Sequence, residues 1–149
     1  MIPLKALKKA VYDKLDKDAD FDPSLQLFRH THNSISSTSE SDYPYMFYEF
    51  STADNILALE DSIPVGTNVV LTFHLFSLDG QPSSEIEGLI GNLTSKFYDN
   101  PVLDIEQYAA GLQNNWKNPT TGILDQNIIT EPETDNWHGT VRFNITVGR

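Results

Sequence analysis

Residues 137–147, near the end of the chain, alternate regularly between apolar and polar side chains. The apolar positions are Val141, Phe143, Ile145 and Val147, and the polar positions between them are Arg142, Asn144 and Thr146. Successive side chains of a β-strand point to opposite faces, so this pattern predicts a strand with one face buried and one in water. A sheet that contains such a strand needs a second layer to cover its buried face.

Other segments also carry strand patterns. Residues 69–78 (VVLTFHLFSL) are apolar on both sides, which predicts a central strand that is covered on both faces. The aromatic run at residues 43–50 has Pro44 near its start and predicts a further strand. Residues 53–66 are predicted as an acidic connection and residues 30–42 as a polar, serine-rich loop. Shorter strands are predicted at 25–30, 105–112 and 123–130.

Two segments have the periodicity of an amphipathic helix. The first opens the chain and ends in the acidic stretch before Pro23. The second begins at Ser83 or Ser84, where Ser84 and Glu87 have the spacing of a capping box, and it stops at Asn100. Their apolar positions are Leu4, Leu7, Val11 and Leu15 in the first helix, and Ile86, Leu89, Ile90, Leu93 and Phe97 in the second.

The predicted fold class is α+β, with a mostly antiparallel β-sheet packed by two α-helices. Strands cluster along the chain and no repeat divides it, so residues 1–149 are predicted to form a single domain. A chain of 149 residues with 39% hydrophobic residues can bury a core without help from a disulfide or a metal. The absence of cysteine excludes disulfide frameworks, thiolate zinc sites and cysteine nucleophiles.

Neither a membrane span nor a signal peptide is predicted. No apolar run approaches the roughly 18 residues that a membrane-spanning helix requires. Lysines interrupt the apolar residues of the opening segment, so it has no continuous signal-peptide core. The protein is therefore expected to stay in the compartment where it is made.

Charge is distributed unevenly along the chain. The formal net charge is −11, from 10 basic and 21 acidic residues. Residues 1–17 hold five lysines against two aspartates, a net charge of +3, which leaves −14 for the rest. This acidity is unfavourable for a free-standing nucleic-acid binder, whose affinity comes from neutralising phosphates. The first helix either has a solvated basic side or uses Lys5, Lys8 and Lys9 to bind the acidic body of a neighbouring copy.

The four histidines form no recognised catalytic or metal-binding motif. His30 and His32 could present two ring nitrogens on one side of an extended segment, but a metal site needs further ligands and no spacing nominates one. His74 is interpreted as a hydrogen-bonded structural histidine, and His138 as a polar anchor beside Trp137. No catalytic, cofactor-binding or metal-binding residue is assigned, and the chain is not expected to be an enzyme.

Trp116 and Lys117 lie in a polar loop that is predicted at residues 111–122. An aromatic side chain in a loop either caps the local core or belongs to an interface, where aromatic residues are enriched. Both interpretations stay open for Trp116 at this point, and Lys117 is considered with it as a candidate interface residue.

Several motifs follow one another in a fixed order along the chain. They are the helix ALKKAVYDKL, the strand YPYMFYEF, a connection with Thr67, the strand VVLTFHLFS, the helix IEGLIGNLTSKFYD, and the final WHGTVRFNITV with its His-Gly pair and Arg-x-Phe. In this order they resemble the tail terminator, or tail completion, family of long-tailed bacteriophages. The resemblance spans nearly the whole chain, except for the loops at residues 53–66 and 111–122.

The resemblance implies a non-enzymatic structural protein that forms a ring, a homohexamer, on the head-proximal end of the tail tube. The ring stops tube growth and joins the tail to the neck. Its implied partners are other copies of this chain, the tail tube protein and a head-completion or neck protein. DNA passes through the lumen without specific binding, and no membrane or cofactor is involved. The implied location is the tail–neck junction of the virion, after assembly in the host cytoplasm.

A cyclic ring needs two different complementary patches on each subunit. The basic first helix, with Lys5, Lys8 and Lys9, and the acidic remainder of the chain would supply them, and Trp116 and Lys117 are further interface candidates. Two alternative functions stay open. One is another head–tail connector or neck subunit, and the other is a small ligand-binding or enzymatic α+β domain that uses His30, His32 or His74.

Overall fold

A computed structural model describes residues 4–16, 26–27, 44–57, 64–109 and 116–148. Its elements are α1 (Leu4–Asp16), β1 (Gln26–Leu27), β2 (Tyr45–Leu57), β3 (Pro64–Ser77), α2 (Ser83–Asp99), α3 (Glu106–Ala109), β4 (Thr121–Thr130) and β5 (Trp137–Gly148). The predicted α+β class is confirmed, because four of the strands form an antiparallel sheet that α1 and α2 cover.

The strands lie in the order β1-β2-β3-β5-β4. β2, β3, β5 and β4 are each antiparallel to their neighbours, whereas the short β1 is parallel to β2. β3 and β4 therefore run in the same direction with β5 between them, and α2 connects them along the chain. This is a split β-α-β arrangement, in which the connecting helix packs on the sheet that it crosses.

The prediction of a connection over residues 53–66 is wrong at both of its ends. β2 continues to Leu57 and β3 begins at Pro64, and these two residues pair with each other. The register shifts between Thr52 and Asn55, and again beside Leu57. Bulges of this kind let an irregular polar sequence stay in a sheet, which is why apolar periodicity alone ended both strands too early. Residues 58–63 lie outside the described part of the chain.

The core lies on one face of the sheet, between the strands and the two long helices. The rings of Phe73 in β3, Phe97 in α2 and Phe143 in β5 have centroids 4.6 to 5.8 Å apart and are almost fully buried. α1 covers the same face, since the Tyr48 hydroxyl on that side of β2 donates to the Lys8 carbonyl at 3.2 Å. The predicted alternation of the final strand is confirmed, with its four apolar side chains at 0% exposure.

The opposite face of the sheet is called the outer face below. The strand register places on it Tyr45, Phe47 and Glu49 of β2, Val70, Thr72, His74 and Phe76 of β3, and His138, Thr140 and Arg142 of β5. The β3 side chains of this face are half-buried, whereas those of the helix-covered face are fully buried. The predicted central position of this strand is confirmed, but the described residues cover its outer side only in part. On that side Phe76 packs against the rings of Tyr45, Phe47 and His138.

The apolar stripe of α2 is confirmed, but its predicted capping box is wrong. All five predicted stripe residues are buried. The N-cap is Pro82, with φ −66°, and no side chain caps the helix. Ser84 is already inside the first turn, so its hydroxyl cannot serve as the N-cap. The start of α2 is tied to β5, because the indole N–H of Trp137 donates to the Gln81 carbonyl at 3.0 Å.

The prediction of a strand at residues 105–112 is also wrong, because residues 106–109 form the short helix α3. The side-chain oxygen of Asn118 accepts hydrogen bonds from the backbone N–H groups of Ile105 and Glu106, at 2.8 and 2.9 Å. A distant side chain thus satisfies the first donors of the helix, which a local apolar pattern cannot indicate.

The remaining strand predictions are confirmed in part. β4 begins at Thr121, two residues before the predicted start, and β1 covers residues 26–27 of the predicted 25–30 segment. Residues 110–112 and 28–42 lie outside the described ranges. Within those ranges, no helix is long and apolar enough to cross a membrane.

Candidate functional site

Four ionisable side chains form a continuous series of contacts across the outer face. Glu49 Oε1 in β2 lies 3.1 Å from Nε2 of His74 in β3. Nδ1 of His74 lies 3.0 Å from Nε2 of His138 in β5. Nδ1 of His138 lies 2.7 Å from Oε1 of Glu131, the residue that follows β4. The period-two alternation of the strands puts these side chains on one face, and the register brings them together.

Aromatic rings pack alongside both histidines. The imidazole of His74 stacks on Phe47, with centroids 4.7 Å apart, and that of His138 stacks on Phe76 at 4.3 Å. Tyr45 in turn stacks on Phe76 at 4.9 Å. The rings exclude water from both imidazoles, whose side chains are only 18% and 17% exposed.

The environment of His138 opposes its protonation. Burial lowers the pKa of His138, and the neighbouring His74 lowers it further. The carboxylate of Glu131 acts in the opposite direction, but the pKa stays below its ordinary value of 6.5. His138 therefore favours the neutral form, which can both donate and accept one hydrogen bond.

A metal ion does not fit this series as it stands, because the ring nitrogens already contact other protein groups. The ring nitrogens of His74 and His138 that face each other form a hydrogen bond, and the other two contact carboxylates. Across the described ranges, no group of three or more potential ligand side chains has a geometry that could hold a metal. His30 and His32 lie outside those ranges.

The two histidine interpretations fare differently. The interpretation of His74 as a hydrogen-bonded histidine within its strand is confirmed. His138 is an anchor, but not beside Trp137, because neighbouring strand residues point to opposite faces. The Trp137 side chain reaches the start of α2, whereas that of His138 lies on the outer face.

The edge of the sheet at β4 is a second candidate surface. β4 is the terminal strand, with β5 on one side and no further strand on the other among the residues described. Three of its large apolar side chains are about half exposed: Ile123 at 49%, Leu124 at 49% and Ile129 at 47%. An edge strand presents unpaired backbone N–H and C=O groups, so a long apolar edge is suited to pair with another chain.

An ion pair lies beside this edge. The Arg142 guanidinium of β5 binds Asp125 of β4 through two hydrogen bonds, one of them Nε to Oδ1 at 2.8 Å. The hydrogen bonds from Arg142 lower the pKa of Asp125. The pair spans the bulge between Ile123 and Asp125 and thereby fixes the register of the edge strand.

The predicted basic residues of α1 lie on the side of the helix away from the core. Lys5 and Lys9 are exposed and Lys8 is half-exposed. The apolar side chains Leu4 and Tyr12 flank them, at 39% and 41% exposure. Together these five residues are called the basic strip below. The Lys9 ammonium lies 4.8 Å from the ring centroid of Tyr108, which orients it beside α3.

Trp116 and Lys117 differ in position. Trp116 is 7% exposed and belongs to the core cluster, which favours the interpretation as a cap over the core and leaves it little surface for a partner. Lys117 is exposed, while its backbone N–H donates to the Gly148 carbonyl at 2.9 Å. The structure does not bring these two residues close to the outer-face histidines.

Two hollows adjoin these surfaces. One, of about 350 Å³, lies next to the histidine series and is lined by Tyr45, Phe76 and residues of the 131–136 turn, among them Glu131 and Glu133. The other, of about 380 Å³, lies between α2 and β4.

Sequence reasoning did not identify Glu49 or Glu131 as site residues. Glu49 is the one charged residue in the aromatic run of residues 43–50, and that isolation is a signal that could have pointed to a paired side chain. Glu131 opens an acidic turn and carries no comparable signal.

A comparison with models of known protein families finds no match to this chain, and a comparison with curated proteins finds none either.

Proposed function

We propose that this chain is a structural subunit that assembles into a ring and acts as the tail terminator of a long-tailed bacteriophage. In this role the ring binds the head-proximal end of the tail tube, stops its growth and presents a surface to the neck protein. The order of sequence motifs supports the family, and the α+β fold is compatible with it.

The observation that carries the proposal is the edge of the sheet at β4, beyond which the described residues form no further strand. Ten residues of strand with one bulge end the sheet there, with half-exposed Ile123, Leu124 and Ile129 along it. Natural monomers protect such edges with charges, prolines or covering elements. β4 carries a bulge and the paired carboxylate of Asp125, but its three half-exposed apolar side chains are consistent with a subunit whose edge is covered on assembly.

Ring closure also needs a second patch that differs from the first, because each subunit contacts two neighbours through unlike surfaces. The basic strip of α1 is a charged surface on a chain whose net charge is −11. Attraction between this strip and an acidic neighbour would orient successive copies in the same sense. A ring of six would then expose one face to the tube and the other to the neck.

The test is the mass of the purified protein by light scattering, over a concentration series and with tail tube protein added. A mass near six subunits, alone or on tube ends, supports the proposal. A protein that stays monomeric at every concentration and does not bind the tube protein contradicts it.

Substitutions in β4 test whether this edge strand forms the contact between subunits. Leu124→Lys and Ile129→Lys place charges on the edge, and we expect each to lower the assembled fraction at least about tenfold at a fixed concentration, a loss of about 1.4 kcal/mol. The matched control is Tyr98→Lys, which removes an aromatic side chain that is 80% exposed but belongs to α2 and not to the edge strand. Equal loss in the control would contradict an edge-mediated ring.

A second candidate function is binding of a small ligand on the outer face. The observation that favours it is the hollow of about 350 Å³ beside the histidine series, which has aromatic and carboxylate groups in its lining. A thermal-shift screen with small cationic compounds tests it, because a ligand that binds only the native state raises Tm.

A further inference from the structure

The series Glu49–His74–His138–Glu131 contains three hydrogen-bond contacts, each of which needs one proton. An ionised carboxylate has no proton to give and can only accept. The ring N–H groups must therefore face the carboxylates at both ends of the series. Those contacts are Nε2 of His74 with Glu49 at 3.1 Å, and Nδ1 of His138 with Glu131 at 2.7 Å.

Two neutral imidazoles cannot satisfy the series. Each has a single ring proton, and both protons are used at the carboxylates. Nδ1 of His74 and Nε2 of His138 would then face each other at 3.0 Å with two lone pairs and no proton between them. Changing either tautomer moves the mismatch to a carboxylate, where a lone pair would face an anion.

Two imidazolium rings cannot satisfy it either. Both nitrogens of the central contact would then carry a proton, so two N–H groups and two positive charges would oppose each other at 3.0 Å. One proton beyond the neutral pair is the count that matches all three contacts. The central bond is then N–H···N, from an imidazolium to a neutral imidazole.

We infer that the two histidines bind one shared proton, with His74 as the imidazolium donor and His138 as the neutral acceptor, and that this proton makes the outer face of the sheet responsive to pH. The series joins β2, β3, β5 and the turn after β4, so a change in its proton count breaks a contact between strands. The site lies within one subunit, and its test is independent of ring assembly.

The surroundings favour this distribution of charge. Burial of His138 lowers its pKa, in keeping with its role as the neutral acceptor. The Glu49 carboxylate from β2 lies against the ring that carries the charge, and Glu131 fixes the tautomer of the other. Among the described residues, the other charges shown on this face are Arg142 of β5, which is bound to Asp125 of β4, and Glu133, which lines the hollow beside Tyr45 and Phe76.

The direct test is an NMR titration of the histidine ring nitrogens between pH 5 and 8, on protein with ¹⁵N-labelled histidine. Replacing His30 and His32 by Gln leaves only the pair in the spectrum. We expect an intermediate state in which both nitrogens of His74 and Nδ1 of His138 are protonated. The pair should titrate in two steps separated by more than about 1 pH unit, as strongly coupled groups do.

His138→Phe removes the acceptor and keeps a ring to stack on Phe76, so the N–H···N contact and the intermediate state of the pair should disappear from the spectrum. The matched control, Lys117→Gln, removes an exposed charge beside Gly148, at the end of β5 remote from His138, and should leave both steps unchanged. One-step titration of the pair in the parent protein overturns the inference, and so does an intermediate state that persists in His138→Phe. The parent spectrum decides the matter even if the variant does not fold.

Stability gives a second measurement with a defined sign. Because the pKa of His138 is lowered in the folded chain, the unfolded chain binds the second proton of the pair, the one on His138, more readily than the folded chain does. The free energy of unfolding should therefore fall as pH drops below 6.5, the ordinary value for His138. The fall should be smaller in His138→Phe, and an equal fall in both proteins would contradict the coupling.

Discussion

At Gly139, α2 approaches β5 so closely that even a methyl group would collide with it. A Cβ atom built at this position would lie 2.7 Å from Cδ1 of Ile90 and 3.2 Å from Cγ1 of Ile86. An added methyl group would therefore force the Cδ1 end of the buried Ile90 side chain to shift. We expect Gly139→Ala to lower the free energy of unfolding by about 1–3 kcal/mol, as overpacking a core does, in chemical denaturation monitored by circular dichroism.

Two further variants separate this contact from a general effect of alanine. Ile90→Val removes the Cδ1 atom that the new methyl group would meet, so part of the loss should be recovered in the double variant. Gly91→Ala lies inside α2 with nothing within 4 Å of its new Cβ, and should stabilise the protein by about 0.5–1 kcal/mol. A destabilised Gly91→Ala together with a neutral Gly139→Ala would reverse the assignment.

Single residues also show the limit of sequence reasoning about the site. The sequence indicates that His74 sits in a strand and is hydrogen-bonded, which is correct. It does not indicate that its partner is His138, 64 positions later. Strand register decides that pairing, because a shift of one residue would send every side chain to the other face. Register follows from the packing of the whole sheet.

At the scale of elements, the regular patterns were read correctly and the irregular ones were not. The stripe of α2 and the alternation of β5 are long, so burial on one side fixes their type. β2 and β3 extend beyond their apolar parts because they pair with each other. Hydrogen bonds between β2 and β3 hold the polar ends of both strands in the sheet. The apolar periodicity of one segment gives no information about the strand with which it pairs.

The short helix α3 also depends on a partner that is distant in the sequence, in this case the side chain of Asn118. Asn118 accepts hydrogen bonds from the N–H groups of Ile105, which is fully buried, and of Glu106. Asn118→Ala leaves both donors without this acceptor. We expect a loss of about 0.5–1.5 kcal/mol in the free energy of unfolding, the net contribution of a typical hydrogen bond, because the Ile105 N–H keeps the Leu103 carbonyl as an acceptor at 3.1 Å and the Glu106 N–H lies at the surface.

Asn118→Asp is the matched control, since it keeps an oxygen in the same position and should retain most of that stability. Thermal or chemical unfolding of the two variants in parallel gives the comparison. Equal losses would mean that the amide NH₂ group matters and that capping of α3 does not.

At the scale of the whole molecule, the two long helices cover one face of the sheet and the charged series crosses the other. The basic strip of α1 is therefore on the same side as the core helices, while Glu49 and Glu131 are on the outer face. The uneven distribution of charge along the chain follows directly from its sequence. Where each charge lies depends on which face α1 covers, and the hydroxyl contact of Tyr48 with α1 helps to determine that.

Reversal of the basic strip tests whether that uneven charge drives assembly. Lys5 and Lys9 are exposed, Lys8 is half-exposed, and the contact between Lys9 and the Tyr108 ring, which the change removes, is a weak surface interaction. The triple change to Glu should therefore leave the subunit folded, with an unchanged circular dichroism spectrum. If the strip binds an acidic surface of a neighbouring copy, the assembled fraction measured by light scattering should fall at least about tenfold at low salt.

Salt distinguishes attraction from simple loss of contact area. Screening shortens the range of charge interactions from about 10 Å at 0.1 M to about 3 Å at 1 M. Assembly of the parent protein should therefore weaken as salt is raised, whereas the reversed variant, in which repulsion is screened, should gain. Unchanged assembly of the folded variant would identify the strip as a solvated surface and leave the β4 edge as the remaining candidate contact between subunits.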